Sequence, residues 1–158
     1  MRTVRLRLHV PHKSAGAVYA TLADFERYPE LCEAVQNVTV TGKSENVTVS
    51  RWEVTFRAGL LCWTEEDTFD PGALTITFRQ LEGDIAVFDG SWQCVDAAQG
   101  SEVLFTARLD MGIPSLADAL EPIAARTLTD NIVSIVRGLV GGAELAASGM
   151  EVPVGSAS

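Results

Sequence analysis

Two carboxylates on one face of a predicted strand are the residues best placed to do chemistry. Glu65 and Asp67 lie in the segment LLCWTEEDTF, where alternate residues of a strand share a face. The other residues on that face are Leu61, Trp63 and Phe69. Because burying an unpaired carboxylate is costly, two interpretations stay open. Either this face lines a wet cavity, or a bulge turns the acids toward solvent.

In an inward orientation, Glu65 and Asp67 would form an acid/base pair. Their side chains would lie roughly 7 Å apart along the strand. Like charges this close in a medium of low dielectric constant raise each other's pKa. One carboxyl would stay protonated near neutral pH and act as a general acid, while the other acts as a base. Enolisation, aldol closure and dehydration all need that division of roles.

A second polar position interrupts the apolar stripe of the predicted C-terminal helix. Asn131 lies near the middle of this stripe, and Thr127 lies at its edge. Asn131 is either a core amide bonded to a neighbour or buried water, or an anchor for a ligand oxygen. Inward aromatic residues form either plain core or the wall of a small-molecule site. The aromatic candidates are Tyr28, Trp52, Trp63, Phe88 and Trp92.

Composition narrows the class of protein. The chain has 158 residues, of which 47% are hydrophobic and 21% are charged, and this suits one globular domain. Its net charge of −9 disfavours nucleic acid as a partner, because phosphate binding needs a basic patch. No apolar run reaches the roughly 20 residues of a membrane helix. Residues 1–13 lack the apolar region of a signal peptide, so we expect a cytoplasmic protein.

The cysteines and histidines do not have the spacing of metal ligands. Cys32, Cys62 and Cys94 lie in apolar contexts without a CxxC pair, which predicts buried free thiols. His9 and His12 have no cysteine nearby. The sequence therefore predicts neither a metal site nor a cofactor.

Periodicity predicts the elements that carry these residues. Alternation indicates a first strand over residues 2–10, and Ser14 caps a helix that runs to about Arg27. A break before Pro29 precedes a short helix over residues 30–35. Six strands follow, at residues 38–42, 47–57, 60–69, 74–81, 85–95 and 103–110. Their short connectors predict antiparallel neighbours.

A long amphipathic helix is predicted after the last of these strands. Ser115 and Asp118 resemble a capping box at its start, and the helix ends near Val140. Pro122 predicts a kink or a restart near Glu121. The predicted apolar stripe contains Leu116, Leu120, Ile123, Ala124, Leu128, Ile132, Ile135 and Leu139.

A single curved antiparallel sheet must cover the apolar face of this helix. Side-chain parity along the strands places the aromatic residues on its inner surface and Arg79 on its outer surface, as a solvated charge. We expect residues 1–142 to form one domain and residues 143–158 to form a disordered tail.

This β-α-α-β6-α order resembles the START-like helix-grip superfamily. Within it, the chain is similar to the polyketide aromatase/cyclases and the coenzyme-Q-binding proteins. Four segments carry the resemblance: LADFERYPEL from Leu22, CWTEE from Cys62, FDGSW from Phe88 and TDNI from Thr129. The resemblance covers about residues 2–140. It implies an α+β fold in which a curved antiparallel sheet of about seven strands wraps around a long C-terminal helix.

The resemblance also implies a function. Such a protein binds a hydrophobic, oxygenated, polyketide-like ligand in an internal cavity and promotes its cyclisation or dehydration, with an acyl carrier protein as a possible partner. In the aromatase/cyclases, the strand matching that of Trp63 supplies an inward arginine that holds substrate oxygens, and Asp67 takes this position here. On this hypothesis Glu65 and Asp67 are acid and base, Asn131 orients a substrate oxygen, and Thr127 and the aromatic residues contact the ligand.

Two other functions stay open at this point. The domain could carry a quinone, lipid or pigment without catalysis, and a tightly bound ligand without turnover would favour that. It could also be a protein-interaction module with an incidental cavity, and a cavity filled by packed side chains would favour that.

Overall fold

The computed structural model describes residues 1–57, 59–112 and 114–151, and for residues 114–119, 150 and 151 only the backbone is described. The strands are β1 (Arg2–Pro11), β2 (Val35–Lys43), β3 (Val47–Phe56), β4 (Gly59–Asp70), β5 (Thr75–Gly83), β6 (Val87–Ala97), β7 (Gly100–Asp110) and β8 (Glu144–Glu151). The helices are α1 (Ala15–Leu22), α2 (Tyr28–Leu31) and α3 (Pro114–Val140), and a 3₁₀ turn covers Phe25–Arg27.

All described strands form one antiparallel sheet in the order β2-β3-β4-β5-β6-β7-β1-β8. The long helix α3 contributes to the same hydrophobic core as the inner residues of the sheet. The predicted α+β helix-grip fold is therefore confirmed, with one strand more than expected. Within the described part of the chain, we find no helix with the length and apolar character needed to cross a membrane.

The β3–β4 hairpin positions the polar candidates. Its register pairs Trp52 with Trp63, Ser50 with Glu65 and Thr48 with Asp67. Alternation then directs these six side chains to one side of the sheet. A register irregularity with β5 falls between Thr64 and Glu65, but Glu65 and Asp67 remain 4% and 0% exposed. The interpretation that a bulge turns the acids toward solvent is therefore wrong.

The two short helices differ from the prediction at their ends. Ser14 caps α1 as expected, accepting a hydrogen bond from the backbone N–H of Ala17 at 3.2 Å. The helix stops at Leu22, however, and the following 3₁₀ turn buries Phe25. Pro29 lies in the first turn of α2 instead of ending a helix, because a proline at that position costs no helical hydrogen bond.

The long helix α3 runs through Pro122 without the predicted restart. Its buried face includes Ala125, Ile132 and Val136, whereas Ile123, which we predicted on the apolar stripe, is 41% exposed. The predicted contributions of Ser115, Leu116 and Asp118 lie outside the described side chains.

The prediction of a disordered tail is wrong for the segment Glu144–Glu151, which forms β8 beside β1. The backbone groups on the free edge of β1 explain this pairing, because an edge strand offers unpaired N–H and C=O groups to any extended segment. Alanine, serine and glycine in this segment have low strand propensity, so the sequence concealed the strand. Residues 152–158 lie outside the described residues.

Candidate functional site

A cavity of about 80 Å³ lies between the concave face of the sheet and α3. Its lining is mainly aromatic and aliphatic: Phe25, Tyr28, Val35, Trp52, Val54, Trp63, Glu65, Phe78, Phe88, Trp92, Phe105, Leu128, Asn131, Ile132 and Ile135. A smaller cavity of about 60 Å³ adjoins it and shares Val54, Trp63, Phe88, Leu128 and Asn131 with it. The two cavities together form a divided pocket of the kind that binds small molecules.

Stacked aromatic rings build the wall of this pocket. Trp52 and Trp63 are cross-strand neighbours whose rings are parallel within 1° at 6.0 Å. Phe25 contacts Trp52 at 5.6 Å, and Phe88 contacts Trp63 edge-on at 5.4 Å. With Trp92, all three tryptophans of the chain line the main cavity. Their fluorescence would therefore report directly on its contents.

The ring of Tyr28 lines the cavity, but its hydroxyl is hydrogen-bonded within the protein. The hydroxyl donates to the carbonyl oxygen of Leu22 at 2.6 Å, which fixes the chain between α1 and α2. Burial, followed by the electrostatic interactions with the Glu65 and Asp67 carboxyls, raises the pKa of Tyr28 well above its usual value. The predicted contact of Tyr28 with a ligand is therefore restricted to its aromatic face.

Glu65 and Asp67 form a hydrogen-bonded carboxyl pair fixed by tryptophan donors. Trp63 Nε1 donates to Glu65 Oε1 at 2.7 Å. On the neighbouring strand, Trp52 Nε1 donates to Ser50 Oγ at 2.8 Å, and Ser50 Oγ lies 2.6 Å from Asp67 Oδ2. In the described part of the chain, neither carboxyl takes part in an ion pair.

These contacts leave one oxygen of each carboxyl without a donor among the described residues. An indole N–H can only donate, so Ser50 Oγ accepts from Trp52 and its own proton points to Asp67 Oδ2. Asp67 Oδ1 is buried and has no donor among the described residues. Glu65 Oε1 accepts from Trp63, which leaves Oε2. A single proton shared between the two carboxyls would satisfy both remaining oxygens.

Burial and the neighbouring groups favour the proton on Glu65. Burial, the hydrogen bond with Asp67 and the charge of Asp67 raise the pKa of Glu65 well above its usual range, against the N–H of Trp63. Burial also raises the pKa of Asp67, but the hydrogen bonds from Glu65, Ser50 and Thr48 oppose that rise. Of the two carboxyls, Glu65 therefore holds a proton more strongly, and Asp67 ionises first.

The two carboxyls occupy different positions relative to the cavity. Glu65 lines it, whereas Asp67 lies behind Glu65 and does not. The sequence predicted both as groups that act on the ligand. The structure instead allows Asp67 to act through Glu65, because the side chains of Glu65 and its neighbours separate Asp67 from the cavity.

The remaining predicted residues also lie at the pocket. Asn131 lines both cavities, and its amide has no hydrogen-bond partner among the described residues. Its functional interpretation is therefore favoured over that of a satisfied core amide. Thr127 lines only the smaller cavity, while Phe88 lines both and Trp92 lines the larger.

Sequence reasoning missed the hydroxyl groups that hold Asp67. Ser50 and Thr48 share the parity of Trp52, so their inward direction was available from the alternation. Their contact with Asp67 depends on the cross-strand register, which the turn between β3 and β4 sets. No single-strand pattern could supply that register.

The curved sheet, the long helix α3 and the cavity between them define a helix-grip domain with an internal pocket. The family model for "polyketide cyclase / dehydrase and lipid transport" matches residues 11–135. The chain belongs to this family.

A curated relative is the bifunctional cyclase/dehydratase of the actinorhodin polyketide synthase from Streptomyces coelicolor. It is 30% identical over 131 residues, which cover 78% of this chain. The chain spans 40% of the length of that relative.

Two solved structures share the fold. The aromatase/cyclase Zhui from Streptomyces sp. R1128 superposes with a TM-score of 0.75 at 17% identity, over 88% of this chain and 92% of that one. A START superfamily protein from Mycobacterium smegmatis superposes with a TM-score of 0.76 at 15% identity, over 89% and 98%. At these identities the likeness establishes the fold alone.

Proposed function

We propose that this chain binds a hydrophobic, oxygenated polyketide-like molecule in the aromatic cavity and promotes its cyclisation or dehydration. The observation that carries the proposal is the Glu65–Asp67 pair, a buried neutral acid with an ionised partner at the wall of that cavity. A cavity that only held an apolar ligand would gain nothing from two buried carboxyls, since their burial is costly. Membership of the cyclase family supports the same class of reaction.

Glu65 is the group that would exchange protons with the ligand. It donates its proton to the carbonyl oxygen under attack and receives a proton from the attacking enol. Each ring closure then leaves the carboxyl pair as it began. In a dehydration, the same proton goes to the departing hydroxyl group, and the water that forms takes up the proton that the neighbouring carbon loses, so Glu65 is left ionised. General acid catalysis of this kind contributes roughly 10²- to 10⁴-fold.

Asp67 and Asn131 have supporting roles in this proposal. The carboxylate of Asp67 holds the proton of Glu65 in the resting site and stabilises the neutral acid. The Asn131 amide, which borders both cavities and has no hydrogen-bond partner among the described residues, would donate to a second ligand oxygen. A bent poly-β-ketone has carbonyl groups at alternate carbons, so it can reach Glu65 and Asn131 at once.

The pocket must widen to admit such a ligand. Ligand sites usually enclose roughly 300–1,000 Å³, and the two cavities measure about 80 and 60 Å³. Val54 and Leu128 line both of them, so a displacement of these side chains would join the two cavities. The same small volume agrees with a pocket that closes around its ligand and excludes water.

The test compares products in the presence and absence of the protein. A minimal polyketide synthase generates a reactive poly-β-ketone, and chromatography with mass spectrometry measures its cyclised products. We expect the wild-type chain to change the product distribution from the spontaneous one and Glu65→Gln to restore the spontaneous distribution. Glu66→Gln, one residue away on the outer face, is the matched control and should behave as wild type.

Binding is measured separately, by quenching of tryptophan fluorescence with 1,8-dihydroxyanthraquinone. Quenching together with an unchanged product distribution would contradict catalysis and indicate a carrier. No quenching and no change in products would contradict both roles for the cavity.

A further inference from the structure

The hydrogen bonds of Asp67 lead away from the cavity to a second concavity. This is an open groove of about 640 Å³ between the β2–β3 hairpin and the segment that joins α1 to the 3₁₀ turn. Thr48 and Phe69 line the groove, and Phe25 lines both the groove and the cavity. The carboxyl pair therefore lies close to two separate spaces.

The two carboxyl oxygens of Asp67 differ in their hydrogen-bond partners. Oδ1 is buried and has no hydrogen-bond partner among the described residues. Oδ2 accepts from Ser50 at 2.6 Å and from Thr48 at 3.4 Å. The longer contact with Thr48 must shorten before a proton can pass between the two oxygens, and a small displacement of the exposed side of Thr48 would do this.

Of these two hydroxyls, only that of Thr48 can connect to solvent. Ser50 is completely buried, and its oxygen already accepts from Trp52, so it ends the chain of hydrogen bonds. Thr48 retains 8% exposure and lines the groove. Its oxygen can accept from water in the groove while its proton points to Asp67.

The other titratable groups near the pair offer no alternative route. The hydroxyl of Tyr28 is committed to the carbonyl oxygen of Leu22 at 2.6 Å. Glu66, whose charge acts on Asp67, lies on the outer face and pairs with Arg79. The neighbours of Glu65 and Asp67 on β5 are Gln80 and Phe78, which do not titrate.

We propose that Thr48 and Asp67 form a proton route from solvent in the groove to Glu65 in the cavity. A proton passes from groove water to Thr48 as the Thr48 hydroxyl gives its own proton to Asp67 Oδ2. A half-turn of the protonated Asp67 carboxyl then presents that proton to Glu65. The inference rests on the proposed function, since it is the dehydration that leaves Glu65 ionised and requires a proton to be returned. The route serves the site while a ligand fills the cavity and keeps bulk water out.

The test follows hydrogen–deuterium exchange of the Glu65 carboxyl by infrared spectroscopy, with 1,8-dihydroxyanthraquinone filling the cavity and without turnover. The band of the neutral carboxyl is assigned by its loss in Glu65→Gln. We expect Thr48→Val, which keeps the shape but removes the hydroxyl, to slow this exchange roughly tenfold or more. Thr48→Ser restores the hydroxyl and should exchange as wild type.

Thr41→Val is the control for changes in the groove itself. Thr41 also lines the groove, but its hydroxyl donates to the carbonyl oxygen of Val49 instead of to Asp67. An unchanged exchange rate in Thr48→Val, or equal slowing in Thr41→Val, overturns the route. A wild-type spectrum without a neutral carboxyl band overturns it as well.

The outcome separates this inference from the proposed function. Slow exchange in Thr48→Val with an unaltered product distribution in Glu65→Gln would retain the route and reject catalysis by Glu65. The reverse combination would retain catalysis and reject the route.

Discussion

Glu65 and Glu66 are adjacent in the sequence and have opposite environments. Glu65 is 4% exposed, accepts from a tryptophan N–H and is hydrogen-bonded to another acid. Glu66 lies on the outer face of β4, where it meets the guanidinium of Arg79 at 3.3 Å. One step along a strand reverses the direction of the side chain. The same residue type is therefore a neutral acid on one face and a solvated ion on the other.

The contrast extends over both faces of the sheet. On the outer face, acids have cationic neighbours: Asp89 with Arg108 at 2.6 Å and Glu102 with Arg7 at 3.6 Å. On the inner face, Glu65 has only neutral donors and a second carboxyl. Ion pairs at an exposed surface contribute little to stability. A buried carboxyl without a cation instead changes its protonation state, and this is the property that catalysis can use.

The largest expected difference between the faces concerns turnover. Asp67→Asn replaces the carboxylate partner of Glu65 with a neutral amide, so the proton of Glu65 loses its charged acceptor. We expect the rate of ring closure to fall roughly a hundredfold, as a misplaced catalytic group commonly costs that much. Single-turnover assays with the poly-β-ketone measure it. Asp89→Asn, the same substitution on the outer face, is the control and should keep the wild-type rate. Equal losses of rate in Asp67→Asn and Asp89→Asn would show that the two faces do not differ in catalysis.

The next difference is in the pH dependence of stability. Because the pKa of Glu65 is raised on folding, the folded state binds more protons than the unfolded state at pH values above the usual Glu pKa. The free energy of unfolding therefore falls as pH rises from about 4.5 toward the raised pKa. Glu65→Gln has no carboxyl at this position and does not show this decrease. Its free energy of unfolding relative to wild type should therefore rise by up to about 1.4 kcal/mol per pH unit.

Urea unfolding of wild type and Glu65→Gln across this pH range measures the gain. Glu66→Gln serves as the control, and we expect no gain of this sign. A difference between Glu65→Gln and wild type that stays constant with pH would contradict a raised pKa.

A smaller effect is expected from the donor to Glu65. Trp63→Phe removes the N–H that bonds Oε1, and it should cost about 1 kcal/mol beyond the loss of ring area. It should also raise the pKa of Glu65 further, since this N–H opposes the rise. Trp92→Phe controls for ring area, because the Trp92 indole has no hydrogen-bond partner among the described residues. Equal destabilisation of the two variants in urea would show that the N–H contributes nothing.

The smallest effect belongs to the outer face. Arg79→Gln breaks the pair with Glu66, whose side chains are 63% and 38% exposed. Such a pair is worth less than about 1 kcal/mol and is screened by salt. Thermal denaturation at low and high ionic strength should show a small shift that disappears with salt. A loss comparable to that of the inner-face variants would mean that exposure does not separate the two faces.

Sequence patterns within single elements predicted much of the difference between the inner and outer faces of the sheet. The alternation put Glu65 and Asp67 on the face that a core would claim, with an outward bulge as the open alternative, and it placed Arg79 outside. The structure buries both acids and exposes Arg79. Asn131 was found from its position on the helix. Period-two and helical patterns are properties of single elements, so the sequence alone can supply them.

The features that the sequence did not predict depend on two elements meeting. Asp67 proved to lie behind Glu65, and Ser50 and Thr48 hold it through the β3–β4 register. Strand β8 exists because β1 offers a free edge. Helix α1 also ends earlier than predicted, and Phe25 in the 3₁₀ turn that follows is buried in the core. The periodicity of the helix sequence does not predict this packing.

The most direct test is the titration of Glu65 by carbon-13 NMR. Glutamate is labelled at the side-chain carboxyl carbon, and the signal of Glu65 is assigned by its loss in Glu65→Gln. The account predicts that Glu65 ionises only well above pH 4.5, the usual pKa of this side chain. If Glu65 instead ionises near pH 4.5 or below, the buried neutral acid at the cavity wall does not exist.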